Sequence, residues 1–228
     1  MIRSILIVLI LFSAISAGIM LCPMPVGWRF LACVLLFAFL VGFHSFRNRH
    51  RWPELWSMWY FSTMVSLFQV LPDWFLSRVL GVLVFPADGL FKIGSVSAYM
   101  AGLWAIPFFL VLLSVRLYES STSHLEWPGK SIAWSSAGLA SLVALVIFGG
   151  SEATLWILGS WYAQSVSMIG HVALYVLIPE FLLGGYLYLA YVWSRKKSVP
   201  IQILYAVHVS LLYTGALALS YLFFEKVA

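Results

Sequence analysis

The stretch SILIVLILFSAISAGIMLC, Ser4 to Cys22, contains no charged side chain. A helix of ~20 apolar residues crosses a ~30 Å hydrocarbon core, so this run is long enough to span a membrane. Runs like it recur to the end of the chain and constrain the fold more than any motif. The candidate spans are Ser4–Cys22, Trp28–Phe46, Leu55–Leu71, Ile93–Val115, Ile132–Gly150, Met168–Trp193 and Ile201–Phe224. Two further apolar segments, Phe75–Ala87 and Ala153–Tyr162, are too short to cross and are expected to be re-entrant or interfacial. The runs are continuous and do not alternate with period two, which disfavours a β-barrel. The expected architecture is an all-α transmembrane bundle of about seven spans, forming one integral membrane domain over residues 1–228. No internal repeat or low-complexity linker stands out.

Composition agrees with this reading. Hydrophobic residues make up 63% of the chain and charged residues only 9%, against roughly 25% charged in a soluble domain. So few charges cannot cover a water-facing surface. The opening MIRS and the small residues SAISA have the look of a secretory signal. The apolar run, however, continues through GIMLC to Pro23, so a retained first helix is expected. Cys22 and Cys33 have no metal-ligand spacing and read as small packing residues.

The net charge of +5 does not point to nucleic acid, because the basic residues fall in short connections where they set topology. With the N-terminus inside, the cytoplasmic connections hold Arg3, Arg47, Arg49, Arg51, Arg116, Lys130, Arg195, Lys196 and Lys197. The opposite side holds Arg29, Arg78, Lys92 and Lys226. This asymmetry predicts an N-in, C-out protein in a bacterial-type plasma (inner) membrane. Among the acids, Asp73, Asp88, Glu152 and Glu225 are expected outside and Glu54, Glu119 and Glu126 inside.

Glu180 is the exception. In YVLIPEFLLGG it follows Pro179 inside an apolar run, roughly 20 Å from Trp193 at 1.5 Å per residue. That places it near the expected midplane, where a charge costs about 2.5–3.5 kcal/mol on insertion scales. A neutral carboxylic acid is the expected resting form, and intramembrane acids are functional candidates by default. Pro179 lacks an N–H, so the Tyr175 carbonyl loses its helical donor. Tyr213 and Thr214 on the last span fall at nearly the same depth, and Trp104 and Pro107 lie on the fourth. A pocket between spans four, six and seven is therefore expected, with Glu180, Tyr213 and His171 as catalytic candidates. Trp104, Tyr175, Tyr188, Thr214, Asp88 and Glu152 are the substrate-binding candidates. The bland alternative is a protonated glutamate hydrogen-bonded to a tyrosine, holding two helices together at ~0.6 kcal/mol.

The remaining signals are weaker. His171 is expected to share a helical face with Ser167 and Tyr175 at the pocket mouth. His44, His171 and His208 do not pair by depth as haem ligation requires, and no metal-binding spacing occurs. Asp73 and Glu152 are each expected to cap a helix, Asp73 before Trp74 and Glu152 after the Gly-Gly pair, in preference to lining an acidic rim with Asp88. FPADGLFKIG, Phe85 to Gly94, carries turn residues. The fifth span is crowded with small residues, among them Ala137, Ala140, Ser141 and Ala144, which suits close helix packing.

No lysine lies within the last span, which excludes a retinal Schiff base, and the glutamate-pair and aspartate-rich motifs of membrane prenyl enzymes do not occur. Three functional readings stand. The first is a membrane-embedded enzyme acting on a lipid or isoprenoid by carboxylic-acid proton transfer. The second is a proton-coupled small-solute transporter, and the third a non-catalytic membrane subunit of a larger complex. No cofactor, metal or nucleic acid is implied; the expected partners are membrane lipids and a hydrophobic small molecule.

Overall fold

The computed structural model describes residues 2–122 and 132–227. Glu126 and Lys130 of the charge pattern lie outside the described residues. The chain forms α1 (Ile2–Met20), α2 (Val26–Arg47), α3 (Pro53–Phe68) and α4 (Val70–Trp74), the last continued by a π-helical turn, Phe75–Val79. Strands β1 (Leu83–Val84), β2 (Lys92–Ile93) and β3 (Val96–Ser97) precede α5 (Met100–Leu103) and α6 (Ala105–Thr122). After α7 (Ile132–Leu155) and a 3₁₀ turn, Trp156–Leu158, come β4 (Tyr162–Ala163), β5 (Met168–Ile169) and β6 (Val172–Ala173). The helices α8 (Leu174–Ser194) and α9 (Val199–Leu222) complete the bundle.

Among the described residues, six helical stretches are long and apolar enough to cross a membrane: Ile2–Met20, Val26–Arg47, Met100–Ser121, Trp134–Leu158, Leu174–Ser194 and Val199–Val227. The third expected span differs: α3 alone covers about 24 Å at 1.5 Å per residue before the chain continues into α4. The distribution of side chains is that of a membrane protein. Ile10, Phe39, Val146, Leu204 and Leu219 face outward, while Gln69, Asp73, Asp88, Glu180 and several serines are buried. Lipid covers what water would not. This is an integral membrane protein with an all-α bundle.

One end of the bundle is polar and basic. Glu54 at the start of α3 accepts from Arg116 Nε at 2.6 Å and from Arg195 Nη1 at 3.0 Å, tying α3, α6 and α8. Glu119 accepts from the Ser136 hydroxyl at 2.8 Å and from Tyr188. The other end carries all six strands. There β1 pairs antiparallel with β4, while β2–β3 and β5–β6 form two hairpins.

The hairpins overturn several expected boundaries. Lys92–Ser97 is a hairpin, so the fourth span begins at Met100; Met168–Ala173 is another, so the sixth begins at Leu174. Each turns at a glycine in the left-handed region, Gly94 (φ 66°) and Gly170 (φ 64°), where a side chain would be strained. In Phe75–Ala87 and Ala153–Tyr162 the helical parts finish the α4 and α7 stretches, after which Leu83 and Val84 of the first segment pair with Ala163 and Tyr162 as β1 with β4.

These elements also reveal a repeat that sequence reading does not anticipate. Leu80-Gly81 and Leu158-Gly159 end two helical stretches, each with glycine left-handed (φ 68° and 72°). A strand, then Ile-Gly-x-Val, then a tyrosine follow in both: Ile93 to Val96 and Tyr99, Ile169 to Val172 and Tyr175. An Ile-Pro in the next helix closes each unit, at Pro107 and at Pro179. One helix–strand–hairpin–helix unit thus occurs twice, and its copies meet through β1 and β4.

The seam between α7 and α8 is tight. A Cβ on Gly184 would lie 2.5 Å from the Ala140 carbonyl oxygen and closer still to Ala144, and one on Gly185 would lie 2.5 Å from Ser141 Oγ. Small residues on α7 and the glycine pair on α8 therefore fit only each other.

Candidate functional site

Pro179 sets up the site. Its ring removes the donor that would have served the Tyr175 carbonyl, and Ser220 Oγ of α9 donates to that carbonyl at 2.6 Å instead. That hydrogen bond ties α8 to α9 between one and two turns from Glu180. Glu180 is 3% exposed, and its Oε2 has no hydrogen-bond partner among the described residues.

That carboxyl lines a cavity of about 230 Å³. Two further carboxyls, Asp73 of α4 and Glu152 of α7, share the walls with Tyr175 and Tyr213, and apart from Ser151 the remaining surface is apolar or aromatic. Trp104 Nε1–H donates to Asp73 Oδ2 at 3.0 Å, and Trp161 Nε1–H points at Glu152 Oε1 at 3.4 Å. The Trp104 ring also packs edge-on to Tyr213, with centroids 6.0 Å apart, and against Phe148 at 5.1 Å. Asp73 lies outside the six spans, and burial pushes its carboxyl up to about 7, against the opposing pull of the Trp104 indole.

The structure brings together Glu180, Tyr213, Tyr175, Trp104 and Glu152 from the expected set. It corrects others. His171 sits in the β5–β6 turn, not on a helical face with Tyr175, and stacks on Trp156 with centroids 3.7 Å apart in an adjoining outer cavity. Tyr188 points to the basic end, on Glu119. Thr214 spends its hydroxyl on the Ser210 carbonyl of its own helix. Asp88 is buried near the start of α2, where its backbone carbonyl accepts from Gly27 N–H and its Oδ1 accepts from Leu90 N–H at 2.9 Å.

Neither Asp73 nor Glu152 is a cap. Asp73 lies inside a helical stretch with its carboxyl turned to Trp104, and α7 runs unbroken through Gly149 and Gly150 to Glu152. Nor does Glu180 lie midway along its helix. With α8 starting at Leu174, it lies only about 9 Å from the strand end, because the hairpin replaces the first residues of the expected span.

Asp73, expected as a cap or as part of an acidic rim, and Trp161 are wall members that sequence reasoning did not place in the pocket. The available signal was the repeat, since Asp73 and Glu152 both stand about two turns before a Leu-Gly helix end. Among the described residues no cluster of histidine, cysteine and acidic side chains could hold a metal ion. His44 and His208 make polar contacts elsewhere, with Ser4 at 3.4 Å and with Tyr186 at 2.9 Å.

A family described as Domain of unknown function (DUF6989) matches residues 70–224, and the chain belongs to it. The matched stretch includes every residue that lines the cavity. No curated protein and no solved structure matches the chain.

Proposed function

We propose that this chain, a member of that family, is a membrane-embedded enzyme that transfers a proton from the Glu180 carboxyl to an apolar substrate of the lipid or isoprenoid class. One observation carries the reading: an unpartnered, buried carboxyl opens into a cavity whose walls are otherwise largely apolar. A shielded carboxylic acid is what protonation of an apolar group requires, because water there would take the proton first. Tyr213 and Trp104 shape the wall opposite, and Tyr175 holds the near side. Asp73, on the same wall, is the base that takes a proton back from the protonated substrate.

The orientation fits the same scheme. Arg47, Arg49, Arg51, Arg195, Lys196 and Lys197 gather at the end opposite the strands, which the positive-inside rule assigns to the cytoplasm of a bacterial-type inner membrane. The cavity then opens toward the outer leaflet. Reporter fusions at Arg49 and Lys196 should read inside and a fusion at Asp88 outside.

The test compares lipid extracts of cells expressing the wild type, Glu180→Gln or neither. A product present only with the wild type is expected. An unchanged product with folded Glu180→Gln would sink the proposal. A second reading, a proton-coupled transporter, draws on the repeated unit, since parallel repeats are a common transporter plan. Proton-driven uptake into vesicles, lost in Glu180→Gln without any new lipid product, would select it.

A further inference from the structure

We infer that Glu152 passes protons between the outer solution and Glu180, with His171 as the solvent-side member of the route. The inference rests on the proton-donor role proposed for Glu180. Two cavities, each of about 230 Å³, lie side by side at the strand end, and Glu152, Trp161 and Ala163 belong to the walls of both. The inner one holds Glu180; the outer one adds His171, Tyr162 and Met168, all of them exposed. Glu152 is half-buried, between an exposed histidine and a buried acid. It is the only carboxyl common to both walls among the described residues.

The ionisable groups on the inner wall are Asp73, Tyr175, Glu180 and Tyr213, and on the outer wall Tyr162 and His171. No lysine or arginine lines either cavity, so no fixed cation on these walls holds Glu152 in its ionised form. Each volume exceeds the ~30 Å³ share of one water, which leaves room for a short bridging chain to polar walls.

The proton balance closes without another reactant. Glu180 gives its proton to the substrate and is left as an unpartnered buried carboxylate, a costly state. Glu152 as the acid supplies a proton through cavity water and becomes the carboxylate. It is then reprotonated at the outer cavity by a hydronium ion or the His171 imidazolium. One proton enters from outside for each proton delivered to the substrate, and the proton that the substrate returns to Asp73 leaves through the same cavity water.

The experiment follows hydrogen–deuterium exchange of the protonated-carboxyl carbonyl stretch by infrared spectroscopy, on the full chain in lipid nanodiscs. The Glu180 band is the one lost in Glu180→Gln. In Glu152→Gln that band should persist while its exchange slows by about 100-fold, the scale of a missing acid–base group. Glu152→Asp should restore most of the rate, and His171→Ala, which alters an exposed side chain, should slow exchange by a smaller factor. Wild-type exchange in Glu152→Gln overturns the route alone, and so does wild-type exchange in His171→Ala if Glu152→Gln fails to fold. Absence of any band sensitive to Glu180→Gln overturns the donor role, and the route with it.

Discussion

Ser220 Oγ donates to the Tyr175 carbonyl oxygen at 2.6 Å, and that carbonyl is the one Pro179 leaves without a helical donor. A defect written into α8 is thus repaired from α9. The repair is stereochemically specific, because only a side chain at that height on α9 reaches the exposed carbonyl. The proline therefore serves the fold by making α9 necessary to α8, and it does so beside the buried acid.

Replacing Ser220 with alanine should strand a buried acceptor. The cost is expected at about 1 kcal/mol, between the ~0.6 kcal/mol average for polar contacts in membranes and the 1–3 kcal/mol for a buried unsatisfied group. In a Pro179→Ala background the backbone N–H returns and the same change should cost markedly less. Unfolding in mild detergent across the four-member cycle measures the difference. Equal costs in both backgrounds would dissociate the serine from the proline.

The Asp73 carboxyl gives a second handle. Its value near 7 lies above that of an exposed aspartate, so the folded state binds the proton more tightly than the unfolded one. Between the ordinary carboxylate range and pH 7 the unfolded chain loses its proton first, and stability must fall as pH rises. The slope approaches ~1.4 kcal/mol per pH unit for one such group. Asp73→Asn should flatten that part of the curve. Trp104→Phe, which removes the donor favouring the charged form, should extend the falling limb to higher pH. Thermal unfolding in detergent from pH 4 to 8 reads all three.

How much of this was legible depended on which physical signal carried it. The outer spans α1 and α2 follow from composition alone, since nothing but lipid suits such runs. Glu180 is legible because one acid in an apolar stretch is conspicuous. The hairpins are not, because Lys92–Ser97 and Met168–Ala173 are too short for periodicity to distinguish strand from helix, and each adjoins a long apolar run. Losing those boundaries displaced His171 onto a helix and Glu180 to the middle of one. Rotation about a helix axis is equally hidden from one sequence, which is why Tyr188 and Thr214 were expected in a cavity they do not line. The meeting of Asp73 with Glu152 is tertiary, brought about by a repeat whose short motifs stand far apart in the chain.

The α7–α8 seam makes an unequal pair of glycine predictions. Gly184→Val should separate the helices or abolish insertion, because even a Cβ there meets the Ala140 carbonyl and Ala144. A loss of about 1–3 kcal/mol is the scale of such overpacking. Gly138→Ala, where nothing lies within 4 Å, should be neutral or slightly stabilising through helix propensity. Yield of monodisperse protein and its unfolding temperature give the comparison. Equal tolerance of both changes would mean that the seam is looser than drawn.

Glu54 closes the basic end by accepting from both Arg116 and Arg195, with its side chain 27% exposed. Such partly wetted pairs are worth little one at a time. Here a single carboxylate stands between two guanidinium groups from different helices, so its removal both deletes two attractions and leaves two like charges adjacent. Glu54→Gln should therefore cost about 1 kcal/mol at low salt, more than Arg195→Gln; Arg116 also faces Glu119 Oε2 at 3.5 Å, so Arg116→Gln loses two attractions as well. Near 1 M salt the Debye length falls to ~3 Å and the difference should shrink toward zero. Unfolding temperatures at low and high salt check it, and a Glu54→Gln loss insensitive to salt would assign the effect to packing instead of charge.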